Sequence, residues 1–154
     1  MKCKEVVAYK HRLDGLFDQV RALDDDLELR AHWAKYLCVL ACGFLEVALR
    51  EIYAEYTSLR SDPTVTRCVR KRLDGVNNPN MSKIVEVAGW FSSEWARQLE
   101  EASAEVHKGA IDSIIANRHL IVHGRSVGVT YVRIREWYKS AVAVIEMIEG
   151  QCGL

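Results

Sequence analysis

The chain has 154 residues, enough for one domain with a sizeable buried core. Lysine plus arginine and aspartate plus glutamate both number 21, so the net charge is zero. That excludes a general electrostatic binder of nucleic acid or anionic membrane, though not a local basic site. A hydrophobic content of 49% with two prolines and nine glycines argues for an ordered, helical protein rather than a disordered one.

Val6 to Leu23 places Val6, Val7, Leu13, Leu16, Phe17, Val20 and Leu23 at helical spacing and runs into Asp24-Asp25-Asp26. The acidic run reads as a solvated linker whose charge suits the start of the next helix. The second helix is expected from near Leu27 to about Leu59. Its middle, Trp33 to Leu49, is apolar nearly all round, which predicts a central buried helix. Gly43 lowers helix propensity there and permits close packing. Glu46 and Arg50 stand four residues apart, either as an intrahelical ion pair or as supporting groups, with the carboxylate held near a site. Cys38 and Cys42 share a face and read as small buried hydrophobes. The five cysteines (Cys3, Cys38, Cys42, Cys68, Cys152) are odd in number and form no C-x-x-C pair. With a charged start, Met1-Lys2-Cys3-Lys4-Glu5, that is no signal peptide, they point to a reducing cytoplasm. The longest uncharged run, Tyr36 to Leu45, falls far short of the roughly 18 residues a membrane span needs, so a soluble protein is expected.

Ser61-Asp62-Pro63 restarts the helix with a capping side chain and a proline at the first turn. The short helix that follows carries Arg67, Arg70, Lys71 and Arg72, with Arg60 just before it. Such a run is either a solvated face or a local phosphate-binding patch. Asp74-Gly75 stops this helix, and Asn77-Asn78-Pro79-Asn80 reads as a loop. Ser82 to Trp90 and Ser93 to Ala102 read as two short helices. A further helix runs from about Val106 to His123 and stops at Gly124. Ser126 to Tyr131 is β-prone but short and is taken as a connector. Arg133 to Glu149 closes the chain as an amphipathic helix with Trp137, Val142, Ile145 and Ile148. No repeat, P-loop or dinucleotide-binding glycine pattern is present. The expectation is a single all-α domain over residues 1–154, packed as a helical bundle.

The chemistry concentrates in Asn117-Arg118-His119-Leu120-Ile121-Val122-His123-Gly124. At 100° per residue, Ile111, Ile114, Ile115, Arg118, Ile121 and Val122 share one stripe, so a guanidinium interrupts an apolar face. His119 and His123 stack on a neighbouring flank, with Asp112 seven residues before His119. Arg118 could pair with a core carboxylate such as Glu46 while the histidines merely end the helix. The spacing also suits two imidazoles binding zinc, but a site needs further ligands. No glutamate follows His119 in the zincin manner, and only His107 and Asp112 are spare, so no metal or other cofactor is expected. Arg118 and His123 lie about 140° apart. They converge on one target if the helix end distorts, or if two copies of the helix meet across a two-fold axis. A guanidinium beside a titratable imidazole suits phosphoryl chemistry, one offsetting charge and the other moving protons. Asn117, Arg67, Arg70 and Lys71 are the candidate substrate-binding residues.

The segment resembles the Arg-x(4–6)-His motif of HEPN domains, in which a polar residue follows the arginine; His119 stands at that position. Similarity to the RiboL-PSP-HEPN branch is carried by Leu37-Cys-Val-Leu-Ala-Cys-Gly-Phe-Leu-Glu-Val-Ala-Leu-Arg50, Val76-Asn-Asn-Pro-Asn80, Ile111-Asp-Ser-Ile-Ile-Ala-Asn-Arg-His-Leu-Ile-Val-His-Gly124 and Val127-Gly-Val-Thr130. The resemblance implies a bundle with two long antiparallel helices plus shorter ones. It also implies a homodimer whose interface forms a metal-independent ribonuclease site, with Arg118, His119 and His123 as catalytic residues. RNA is the implied substrate, in stress, toxin–antitoxin or anti-phage cleavage, with an antitoxin or nucleotidyltransferase-like protein as a possible partner. The alternative is a non-catalytic module that binds nucleotide or RNA, or that dimerises within such a system. His119 departs from the asparagine common at its position.

Overall fold

The computed structural model describes residues 1–23, 26–102, 105–125 and 127–154, with Glu105 described by its backbone alone. These residues form α1 (Lys4–Arg21), α2 (Leu27–Ser58), α3 (Pro63–Leu73), α4 (Met81–Gly89), α5 (Ser93–Ala102), α6 (Glu105–Val122) and α7 (Tyr131–Cys152), and no strand is found among them. Asp24, Asp25 and Ser126, which the sequence reading gave to linkers, lie outside the described residues.

Side-chain pairings fix the helix directions. Tyr138 Oη of α7 donates to Asp14 Oδ1 of α1, and Tyr131 Oη, one end of α7, reaches Phe17 O near the other end of α1. Near the opposite ends, the N–H groups of Lys2 and Cys3 donate to Glu149 Oε1. Hence α1 and α7 are antiparallel. Tyr9 donates to Leu40 O and lies 6.1 Å from the Phe44 ring, while Val20 and Leu23 share a groove with Leu29 and Trp33. The long α2 therefore also runs antiparallel to α1. The two longest helices, α2 and α7, run in the same direction. Arg30 lies over the Tyr131 ring at one end, and Arg60 donates to Cys152 O at the other.

Capping chemistry sets most boundaries. Asp26, Asp62, Asn80 and Thr130 side chains accept from Leu29, Thr64, Lys83 and Arg133 N–H, satisfying first-turn donors. The Thr130 cap starts α7 two residues before the sequence reading placed it, and left-handed Gly153 (φ 66°) follows its last residue. The end of α6 is a Schellman closure. Gly124, at φ 68°, donates to Ile121 O (3.0 Å), and Arg125 donates to Leu120 O (2.9 Å).

The core lies between α1, α2, α6 and α7, where Leu13, Phe17, Leu37, Phe44, Leu45, Leu49, Ile52, Ile111, Ile114, Ile134, Val144, Ile145 and Ile148 are all buried. Phe17 stacks on Tyr138 at 4.8 Å, and Tyr138 meets the edge of Phe44 at 5.7 Å. Full enclosure of α2 is not found. Trp33 and Leu40 are half-buried, and Tyr36 is 50% exposed, because only α1 flanks this part of the outer face. Gly43 does allow close approach: a Cβ there would sit 2.6 Å from the Tyr9 hydroxyl that bonds Leu40 O.

Candidate functional site

Helix α6 carries the motif, and its two flanks have different surroundings. Its inner flank meets α2: Cys38 Sγ donates to Ile114 O at 3.5 Å, one turn before Arg118. Ile111 and Ile114 are fully buried there, Ile115 and Ile121 are half-buried, and Val122 is 47% exposed. The apolar stripe is thus covered at its start and open toward its end. Arg118 stands at the transition, half-buried. Helical side chains lean toward the N-terminus of their own helix, which directs this guanidinium along α2. Its charge is felt at the Cys42 thiol: burial first, then Glu46, push that thiol up to about 12, and Arg118 opposes them.

The expected Glu46–Arg50 ion pair is not formed. Glu46 Oε1 accepts the Asn78 N–H at 2.6 Å and lies 4.0 Å from Cys42 Sγ. Arg50 turns the other way, with Nε 2.9 Å from Glu51 and 4.0 Å from Asp74. The reason is competition. Asp74 and Arg70 come alongside α2 with α3, and the loop after α3 offers Glu46 a backbone donor. Nor does Glu46 pair with Arg118; no carboxylate among the described residues forms a salt bridge with that guanidinium. Glu46 holds the loop between α3 and α4, and Arg50 turns to Glu51 on its own helix.

The outer flank of α6 bears His119 and His123. Both are exposed, and their rings lie 4.5 Å apart, edge to face. His123 follows the last helical residue, in the turn closed by Gly124, and its N–H reaches His119 O at 3.3 Å. Neither imidazole caps the helix, because backbone donors of Gly124 and Arg125 already satisfy the terminal carbonyls. One chain thus brings the two imidazoles together, and among the described residues neither forms a hydrogen bond with Arg118. Asn117 is half-buried, and its amide donates back to Ser113 O at 2.8 Å.

Among the described residues, no group of three or more His, Cys, Asp or Glu is placed to hold a metal ion. Asp112, a spare ligand candidate in the sequence, accepts the Met81 N–H at 2.9 Å instead. The basic helix α3 divides in two. Arg70 is ion-paired to Glu51 (3.2 Å), and Arg72 lies over the Trp90 ring (4.1 Å). Arg67 and Lys71, one turn apart on the same face, are exposed and have no partner among the described residues.

Sequence reasoning placed Asn77–Asn80 in a loop without seeing that it joins α2 to the motif helix. The loop bridges α2 and α6, since Asn78 is held by Glu46 and Met81 by Asp112. Asn78 is the one described non-glycine residue with a positive φ, 48°. The available signal was the asparagine pair before Pro79, because asparagine tolerates the left-handed region.

The family model for RiboL-PSP-HEPN matches residues 4–153, nearly the whole chain. The chain belongs to the RiboL-PSP-HEPN family. Its all-helical architecture agrees with a HEPN bundle, and membership in a HEPN family supports a nuclease or RNA-binding role in general terms. Comparison with curated proteins and with solved structures finds no match. Among the described residues of this HEPN domain, no helix is long and apolar enough to cross a membrane.

Proposed function

We propose that this HEPN domain is a metal-independent endoribonuclease that acts in the cytoplasm as a homodimer. The observation that carries the reading is the intact Arg118–His123 motif, with two adjacent exposed imidazoles at the end of α6 and a half-buried guanidinium that no carboxylate among the described residues pairs with. A second copy of α6 across a two-fold axis supplies the convergence that one chain lacks, and the open end of the apolar stripe at Ile121 and Val122 offers a surface for it.

In this reading the RNA 2′-hydroxyl is the nucleophile. One imidazole, assigned to His123, accepts its proton as the oxygen attacks phosphorus. The bond from phosphorus to the 5′-oxygen then breaks, and an imidazolium returns a proton to the leaving oxygen. Arg118 stabilises charge on the pentacoordinate phosphorus, and His119 orients the phosphate. The products are a 2′,3′-cyclic phosphate and a 5′-hydroxyl. Arg67 and Lys71 extend the contact along the backbone, with Arg70 and Asn117 contributing less because their side chains are already engaged. An antitoxin or nucleotidyltransferase-like partner fits such an enzyme as its regulator.

The test is cleavage of total RNA in EDTA by wild type and by His123→Ala, with end-group analysis. Wild-type cleavage giving cyclic phosphate ends, lost in the variant, is expected. Activity that needs added divalent metal overturns the mechanism. A folded protein that binds RNA without cutting it returns the domain to a binding role.

A further inference from the structure

We propose that Asn78 is an RNA-binding residue of the Arg118 site, its side-chain amide donating a hydrogen bond to a phosphate oxygen of the strand whose charge Arg118 neutralises. The inference rests on the RNA reading above and adds a residue from outside the motif, carried by the loop between α3 and α4.

The backbone of Asn78 is held in an unusual state. Its φ of 48° is sparsely populated for a side-chain-bearing residue, and such conformations persist where the surroundings enforce them. Glu46 enforces this one by accepting the Asn78 N–H at 2.6 Å. Val76 and Pro79, buried on either side, anchor the loop, and Asp112 of α6 holds the Met81 N–H. The loop is thereby fixed to both helices that flank Arg118.

The side chain is oriented by Cys42. The thiol lies 3.5 Å from Asn78 Oδ1 and 4.0 Å from Glu46 Oε1, and burial keeps it protonated at neutral pH, so its one proton goes to the nearer acceptor, the amide oxygen. That turns Nδ2 away from the sulfur. Nδ2 has no partner among the described residues and is not enclosed. Cys38, one turn before Cys42 on α2, donates to Ile114 O, one turn before Arg118 on α6, so the Asn78 loop and the motif helix meet the same stretch of α2, and the Cys42 thiol feels the Arg118 charge. A phosphodiester carries two non-bridging oxygens. A charged donor for one and a neutral, preoriented donor for the other is a common division of labour at nucleic-acid backbones. The Glu46 carboxylate lies beside Asn78, and its bond to the Asn78 N–H directs charge into the loop.

Asn78→Gly separates backbone from side chain, because glycine adopts φ 48° without strain and removes only the amide. Asn78→Asp keeps an acceptor for Cys42 and tolerance of the left-handed region, but replaces the donor with a charge that repels phosphate. Binding is read by fluorescence anisotropy on a 2′-O-methyl oligoribonucleotide, which lacks the nucleophilic hydroxyl, and kcat/KM on the unmodified strand. The expected result is about a tenfold weaker Kd and a similar loss in kcat/KM for Asn78→Gly, with a larger loss for Asn78→Asp. Melting temperatures report folding, and the aspartate variant decides the matter if the glycine variant proves unstable. Wild-type binding in either folded variant overturns the proposal, since a residue serving only the turn would be replaced by glycine without loss. A wild-type protein that binds the oligonucleotide but never cleaves sinks the nuclease reading alone. One that binds no RNA sinks both.

Discussion

At the residue scale, His123 and Arg118 separate cleanly into exposed and half-buried groups, and their substitutions should separate too. His123→Ala removes an exposed side chain in a turn closed by backbone bonds, so folding should be unchanged. Loss of a proton-transfer group should lower the cleavage rate by about 10²–10⁴. Arg118→Ala should also lose activity. Because no carboxylate among the described residues pairs with the guanidinium, its removal strands no buried charge there, and melting should stay close to wild type. A soluble, dimeric His123→Ala protein with wild-type cleavage would contradict the assignment. Glu149 is the most consequential buried charge, 4% exposed. Burial raises its pKa, but the Cys3 and Lys2 N–H groups and the Met1 amine together outweigh burial and hold the carboxyl below its usual value. A folded-state pKa below the unfolded one gives stability above the unfolded value, near pH 4.5, that is lost as pH falls through the folded value. Glu149→Gln should therefore destabilise the protein at neutral pH by about 1–3 kcal/mol and flatten the acid limb of its melting-temperature profile.

At the element scale, α2 and α3 carry the tests. Gly43 sits under Tyr9, and alanine there gains about 1 kcal/mol of helix propensity but displaces the Tyr9 hydroxyl from Leu40 O. Gly43→Ala should thus lower the melting temperature in wild type and raise it in a Tyr9→Phe background, where the clashing oxygen is gone. A rise in both backgrounds would show that Tyr9 moves freely. In α3, Arg67 and Lys71 have no partner among the described residues and Arg70 is bonded to Glu51. Alanine at both Arg67 and Lys71 should weaken RNA binding and reduce the salt slope by about 1.4 for a single strand. Arg70→Ala should change it less. A double variant with the wild-type slope would make α3 a solvated face and nothing more.

For the whole molecule, the open end of the α6 stripe, the exposed Leu29 and Tyr36 and the half-buried Trp33 on α2 leave apolar surface that the described residues do not cover. Light scattering should give twice the monomer mass at micromolar concentration, and a monomer there would count against the composite site. Since Arg118 and the histidines face different flanks, dilution below the dimer constant should reduce specific activity in step with dimer loss.

Periodicity and capping residues determined the helices by themselves, because Asp26, Asp62-Pro63, Asn80 and Gly124 act on their own neighbours in the chain. The motif helix was legible for the same reason: Arg118, His119 and His123 lie within two turns of one another. Tertiary structure alone decided partners across elements. Arg50 and Glu46 stand at ideal helical spacing, yet Glu46 turned to the Asn78 N–H of the loop after α3, and Arg50 turned to its neighbour Glu51, with Asp74, just past α3, 4.0 Å away. Such competition depends on which segments arrive, and i,i+4 pairs worth only tenths of a kcal/mol yield to it readily. Asn78, 40 residues before Arg118 in the chain, found its place against α2 by that route. Only folding turned Glu46, Cys42 and Asp112 into the anchors that hold its loop beside the guanidinium.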